Sequence, residues 1–132
     1  MGKEPIIIVG GEPNSVFLEI FFKSLKTNTY KSPLIIIISK KLLQAQMKKL
    51  NFDFKINDID KRLKNFSKLN NSKINLINVN YDFKKCFEKI TSKSNKYINE
   101  TFETALNIIK KNSLTKFING PVSKKYFLKG KT

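Results

Sequence analysis

Two aliphatic runs, Ile6 to Val9 and Leu34 to Ile38, contain no polar residue, and each begins directly after a proline, Pro5 and Pro33. A strand that is apolar at every position has two faces to bury. A parallel sheet with helices on both sides provides that, whereas an antiparallel surface sheet leaves one face in water. The segments that follow the runs agree. Pro5 to Val9 stops at Gly10-Gly11, and in EPNSVFLEIFFKSLK either Asn14 or Ser15 is placed to cap a helix with Val16, Phe17, Ile20, Phe21 and Leu25 near helical spacing. Pro33 to Ile38 leads into Ser39, an N-cap residue, and then into KKLLQAQMKKL, where Leu42, Leu43, Met47 and Leu50 cluster on one side. Two strand–helix units in succession predict an α/β fold.

Further along, Asn51 to Ile56 reads as a third strand, residues 57–73 as a polar, Asn- and Lys-rich surface excursion, and Lys73 to Val79 as a weakly alternating strand. Tyr81 to Ser94 reads as loop with a helical turn at Phe83 to Ile90. From Asn95 to Asn112 the spacing of Tyr97, Ile98, Phe102, Ala105, Leu106 and Ile109 predicts an amphipathic helix. A strand from Leu114 to Ile118 follows. Beyond Asn119-Gly120-Pro121, VSKKYFL suits one more helix, with Gly130 as its cap. No repeat and no linker interrupts the 132 residues, which suit one domain.

Composition removes several chemistries. The chain has no histidine, so it lacks the commonest zinc ligand, the commonest neutral-pH general base and every Ser-His or Cys-His pair. Its single cysteine, Cys86, cannot close an internal disulfide and reads as a small apolar side chain, in keeping with a reducing compartment. The aliphatic runs fall far short of the ~20 residues of a membrane helix, and the start MGKEPI carries no myristoylation or secretory signal, so the expected location is the cytoplasm, with no membrane contact.

The formal charge is +16, from 26 Lys and Arg against 10 Asp and Glu, which raises the question of nucleic acid. Only Arg62 among those cations is an arginine, whereas base reading and bidentate phosphate clamping favour the planar guanidinium. Lys, Asn and Ile together make up 57 of the 132 residues, a bias that A- and T-rich codons produce. The charge therefore reads as a solvated lysine surface, with Lys48-Lys49 and Lys110-Lys111 as cationic helix ends.

In open parallel sheets ligands sit outside the carboxyl ends of the strands, where turns present backbone N–H groups and the positive end of a helix dipole. Two turns have the residues for this, GGEPNS at 10–15 and NGPVSK at 119–124. Glycines permit close backbone approach, Glu12 stands at the mouth of the first turn, and Lys124 lies in the first turn of the expected last helix, where an ammonium beside N–H groups favours a phosphate or carboxylate. The candidate substrate-binding residues are Glu12, Asn119, Gly120 and Lys124. Neither turn is a GxGxxG or GxxxxGK[ST] motif, KGKT at 129–132 lacks the upstream glycine of a P-loop, and Asp53, Asp58 and Asp60 lack hard-metal loop spacing. Read alone, each turn is also ordinary strand-to-helix punctuation.

Taken together, the turns and the helix between them resemble the 4-hydroxythreonine-4-phosphate dehydrogenase family of pyridoxal phosphate biosynthesis. That family opens with a strand and a G-[DE]-P turn running into a helix that begins G-I-G-P-[DE]; Gly11, Glu12, Pro13 and Glu19 stand in register with it. A tyrosine-bearing helix, a strand and a G-P-[VI]-x-K turn follow, matched by Tyr97, Gly120, Pro121, Val122 and Lys124. Ser15 and Phe17 replace the two helix-opening glycines, Leu18 replaces the proline, Ser123 stands where the family often has His, and the middle third matches poorly.

The resemblance implies a three-layer fold of the isocitrate/isopropylmalate dehydrogenase type with a largely parallel sheet and flanking helices. It makes residues 1–132 the N-terminal α/β portion of a longer, two-domain, homodimeric enzyme, and the portion alone is expected to be inactive. The implied reaction oxidises the secondary alcohol of 4-phosphohydroxy-L-threonine, with NAD as hydride acceptor and a divalent metal (zinc, magnesium or cobalt) on the hydroxyl, and then releases carbon dioxide. The metal-binding histidines and a substrate-holding His-Thr pair lie beyond this stretch in the family, so no metal ligand and no catalytic residue is expected here, and no cofactor-binding residue is singled out. A sibling dehydrogenase for another phosphorylated hydroxy acid, a lysine-rich RNA-binding protein and an inert remnant are the alternatives.

Overall fold

The two aliphatic runs lie side by side at the centre of a wholly parallel sheet in the computed structural model, which describes residues 4–11, 16–63, 65–66, 68–81 and 92–120. In chain order the elements are β1 (Ile6–Val9), α1 (Phe17–Thr27), β2 (Leu34–Ile38), α2 (Lys40–Lys49), β3 (Ile56–Asp58), β4 (Ile74–Asn78), α3 (Ser92–Asn112) and β5 (Phe117–Asn119). The sheet order is β3-β4-β2-β1-β5, with Ile6 opposite Leu34, Ile35 opposite Asn75 and Ile7 opposite Phe117.

This order dictates the layers. The connections from β1 to β2 and from β2 to β3 step towards the β3 edge, while those from β3 to β4 and from β4 to β5 step back. Right-handed crossovers therefore place α1 and α2 on one face and α3 on the other. Contacts agree, since α1 touches α2 and α3 packs across β1 and β2. Every residue of β2 is buried, as a strand covered on both faces requires. The lysine pairs stand where the charge reading put them, Lys48-Lys49 in the last turn of α2 and Lys110-Lys111 in that of α3.

Several boundaries and helix faces differ from the sequence reading. The third strand begins at Ile56 rather than spanning 51–56, because Asn51 takes φ 61° just past α2 and Phe52 and Phe54 turn inward instead of pairing. The stretch 57–73 starts inside β3, and its Ile59, Phe66 and Leu69 pack half-buried against the core. Lys61 and Arg62 border a small cavity of about 140 Å³ with Thr104 and Asn107 of α3, so this connection lies in the α3 layer. Asn71 Nδ2 donates to Ser32 O (2.9 Å) and its Oδ1 accepts from Leu34 N (2.9 Å), which ties the connection to the start of β2.

On α1 the buried side chains are Leu18, Phe21 and Phe22, and Val16 and Ile20 point outward. On α3 they are Tyr97, Ile98, Thr101, Ala105 and Ile108, with Leu106 outward. Both helices carry more apolar residues than one face can hold. Spacing alone therefore did not single out the stripe that meets the sheet.

Candidate functional site

The carboxyl ends of the strands form one rim, outside which open parallel sheets hold their ligands in a crevice. On that rim β1 and β5 are neighbours, with Gly10-Gly11 following β1 and Gly120 following β5. The two turns approach there backbone to backbone. Gly120 N donates to Val9 O (2.7 Å), and a Cβ at position 120 would lie 2.4 Å from Gly10 O, 2.8 Å from its carbonyl carbon and 3.1 Å from Phe17 Cγ. Gly11 takes φ 74°, a left-handed conformation that glycine adopts without strain. The amino end of α1, Gly10-Gly11 and Asn119-Gly120 thus converge on one place.

Of the residues expected to bind substrate, Asn119 and Gly120 are at this crevice. Asn119 pairs with Val9 across the ladder, and its side-chain amide donates to Gly120 O (3.2 Å). Glu12 and Lys124 lie outside the described residues, as do Asn14, Ser15, Cys86 and the expected helix beyond Pro121. α1 begins at Phe17 with Val16 in the N-cap position, whose side chain makes no cap hydrogen bond, and the expected caps Asn14 and Ser15 lie outside the described residues. In α2, by contrast, Ser39 Oγ accepts from Leu42 N (3.2 Å) as expected, and Lys40 N is taken by Asn78 Oδ1 (2.8 Å). The amino end of α1 is the one beside the crevice, where N–H groups and dipole favour an anion.

Sequence reasoning passed over Asn78 and Asn80, which extend the polar rim past β4 with a 3.0 Å side-chain hydrogen bond; the signal was the N-x-N spacing at the end of an apolar strand. It also left Tyr97 without a role. Tyr97 reaches from α3 to accept Ser39 N–H on its hydroxyl (2.8 Å), with the Tyr81 ring 4.7 Å from its own. Burial pushes the phenol above its ordinary value, an effect that the Ser39 N–H partly offsets. Replacing Tyr97 with Phe is expected to cost about 1–3 kcal/mol at neutral pH by stranding that buried N–H. The folded protein keeps the phenolic proton, while the unfolded chain releases it near pH 10. The advantage of Tyr over Phe is therefore complete below about pH 10 and shrinks above it. Urea melts of the two proteins at neutral and alkaline pH measure this.

The described groups at the β1 and β5 ends are an amide and backbone N–H, which bind and orient rather than carry protons or electrons, and the charged rim groups Lys40 and Asp58, at the ends of β2 and β3, pair with one another at 2.7 Å. The residues present do not fit a divalent-metal centre: the chain has no His and one Cys, and the described residues contain no cluster of three Cys, Asp or Glu side chains. Nor do they define a dinucleotide cradle, since Gly10-Gly11 lacks the third glycine and α1 opens on Val16 and Phe17. The lone arginine is already engaged, with Arg62 gripping Asp60 through Nη2 (2.8 Å) and Nε (3.1 Å) and holding that carboxyl down to about 2. A single arginine offers one guanidinium for base reading, which weighs against the RNA-binding alternative.

The model of the family of the pyridoxal phosphate biosynthetic protein PdxA matches residues 29–132. No curated protein matches the chain. Among solved structures, a 4-hydroxythreonine-4-phosphate dehydrogenase from Burkholderia phymatum is similar with a TM-score of 0.78 at 17% identity, over 96% of this chain and 39% of that one. One from Klebsiella pneumoniae gives 0.77 at 16% identity, with the same coverage of 96% and 39%. At such identities the likeness shows the fold, and this chain spans 39% of the length of each.

Proposed function

Since the chain belongs to the family of the pyridoxal phosphate biosynthetic protein PdxA, we propose that it forms part of a 4-hydroxythreonine-4-phosphate dehydrogenase and supplies one wall of its substrate cleft. The complete enzyme oxidises 4-phosphohydroxy-L-threonine with NAD as hydride acceptor and a divalent metal, releases carbon dioxide, and works as a homodimer in the cytoplasm. The metal and the nicotinamide are held by polypeptide other than the residues described above.

The observation that carries this reading is the convergence of two glycine turns and an amino helix end at the neighbouring carboxyl ends of β1 and β5, within a chain of this family. Such a crevice suits the anionic end of a phosphorylated hydroxy-amino acid. In this reading Gly120 keeps the two turns in contact, Asn119 presents its amide at the lip, and Glu12 and Lys124 face the ammonium and the anionic groups of the substrate.

Lys124 is the sharpest test. In the complete enzyme, replacement by Met is expected to lower kcat/KM about ten- to a hundredfold, the equivalent of one charge-assisted contact, while the melting temperature stays nearly unchanged. Lys125 points about 100° further round an α-helix and serves as the control. Equal harmlessness of both substitutions in steady-state assays would remove the second turn from the site.

A further inference from the structure

The connection from β3 to β4 and the helix α3 border a second polar site, which shares no residue with the crevice between β1 and β5. The cavity of about 140 Å³ between them is lined by Lys61, Arg62, Thr104, Asn107, Ile108 and Lys111. On α3, Thr104 with Ile108 and Asn107 with Lys111 are pairs four residues apart, so these four make one patch of the helix, with buried Ile108 as its apolar part. The opposite wall is a hydrogen-bonded turn. Ile59 N donates to Leu76 O (2.8 Å), Leu63 N to Asp60 O (3.0 Å) and Arg62 N to Asp60 Oδ1 (2.8 Å), which fixes the backbone that carries Lys61 and Arg62.

Charge and size indicate what fits. Three of the lining residues are cations, and among the described residues no carboxylate lines the cavity. Asp60 is engaged by Arg62, accepting from its Nε (3.1 Å) and Nη2 (2.8 Å). Neither Lys61 nor Lys111 has a carboxylate within ion-pair distance among the described residues. Like charges brought to one cavity from two elements repel, and an anion held between them replaces that repulsion with attraction to both. Lysine ammonium groups suit phosphate as point charges, and Asn107 brings two further N–H donors. A water occupies about 30 Å³ in the liquid, so the space admits a tetrahedral oxyanion.

We propose that this cavity binds a phosphate-type oxyanion, held by Lys61 and Lys111, which bridges the β3–β4 connection to α3. The site takes no residue of the crevice, so it stands independently of the substrate reading, and its test uses no activity. The 132-residue chain is titrated calorimetrically with inorganic phosphate at about pH 8, where phosphate carries nearly two charges, with sodium chloride adjusted to hold the ionic strength constant. The expected result is one ion per chain with a dissociation constant of about 1 mM or tighter. Glycerol phosphate in a parallel titration distinguishes the sources: comparable affinity marks a site open to phosphate esters, and weaker binding a site for the free ion. Lys61→Met and Lys111→Met are each expected to weaken phosphate binding about tenfold or more, with circular dichroism unchanged. Lys110 shares the last turn of α3 and the charge but does not line the cavity, so Lys110→Met is the control for a mere helix-end role and should change binding less than about twofold. No heat beyond that of sodium chloride, several ions bound per chain, an equal loss in all three variants, or binding of a short single-stranded RNA where phosphate does not bind would each overturn the proposal.

Discussion

Replacing Phe22 with Ala is expected to cost about 3–5 kcal/mol, which lowers the melting temperature of a chain this size by roughly 11–18 °C. Phe22 is fully buried, and its ring lies 6.0 Å from Phe21, 5.3 Å from Phe52 and 6.0 Å from Phe54. Those contacts join α1 to the segment between α2 and β3, so truncation opens a cavity lined by rings that stay where they are. Calorimetry of the variant beside Ile20→Ala tests the helix phase directly. Ile20 is 60% exposed, so its loss should change stability by less than about 0.5 kcal/mol. If the two substitutions cost the same, α1 does not present the face described.

A single methyl group at position 120 is expected to be almost as damaging. In Gly120→Ala the new Cβ would meet Gly10 O at 2.4 Å and the carbonyl carbon at 2.8 Å, and backbone of a buried strand end has no rotamer with which to yield. The turns must separate, which strains the crevice and weakens the Gly120 N to Val9 O hydrogen bond. Together these are expected to cost about 2–4 kcal/mol, or roughly 7–14 °C. Gly10→Ala is the informative comparison. There the nearest atom, at 2.7 Å, is the terminal Cδ1 of Ile38, a side-chain end that can shift, so the loss should be smaller. A Gly120→Ala protein that melts with the wild type would mean that the β1 and β5 turns are not in backbone contact, and the candidate crevice would lose its floor.

These two positions mark the limits of what spacing can show. Phe22 was not among the residues predicted for the buried face of α1, although five apolar side chains of that helix were. Val16, Phe17, Ile20, Phe21 and Leu25 have a helical period, but Leu18 and Phe22 share it at another phase. Only the position of the sheet decides between the two. Gly120, in contrast, was singled out as a turn residue. That it needs to be glycine because another backbone lies against it could not be read from its neighbours in sequence.

What the sequence determined by itself was local or compositional. Unbroken aliphatic runs require cover on both faces, so Ile6 to Val9 and Leu34 to Ile38 predicted a parallel α/β sheet, and Ser39 predicted its own cap on α2. The motif spacing around Gly11, Tyr97 and Gly120 pointed to the family. The missing histidines excluded a His-based metal or nucleophile site within the chain. Tertiary structure alone decided that β1 and β5, more than a hundred residues apart in the chain, are neighbours, and that Gly10 and Gly120 at their ends lie in backbone contact. It alone decided that Phe117 and Ile118 of β5 stay partly exposed, with no further strand paired to that edge among the described residues. The physical reason is that strand order and helix phase follow from which long-range packing arrangement buries the most apolar surface, a property of the assembled layers that no single segment carries.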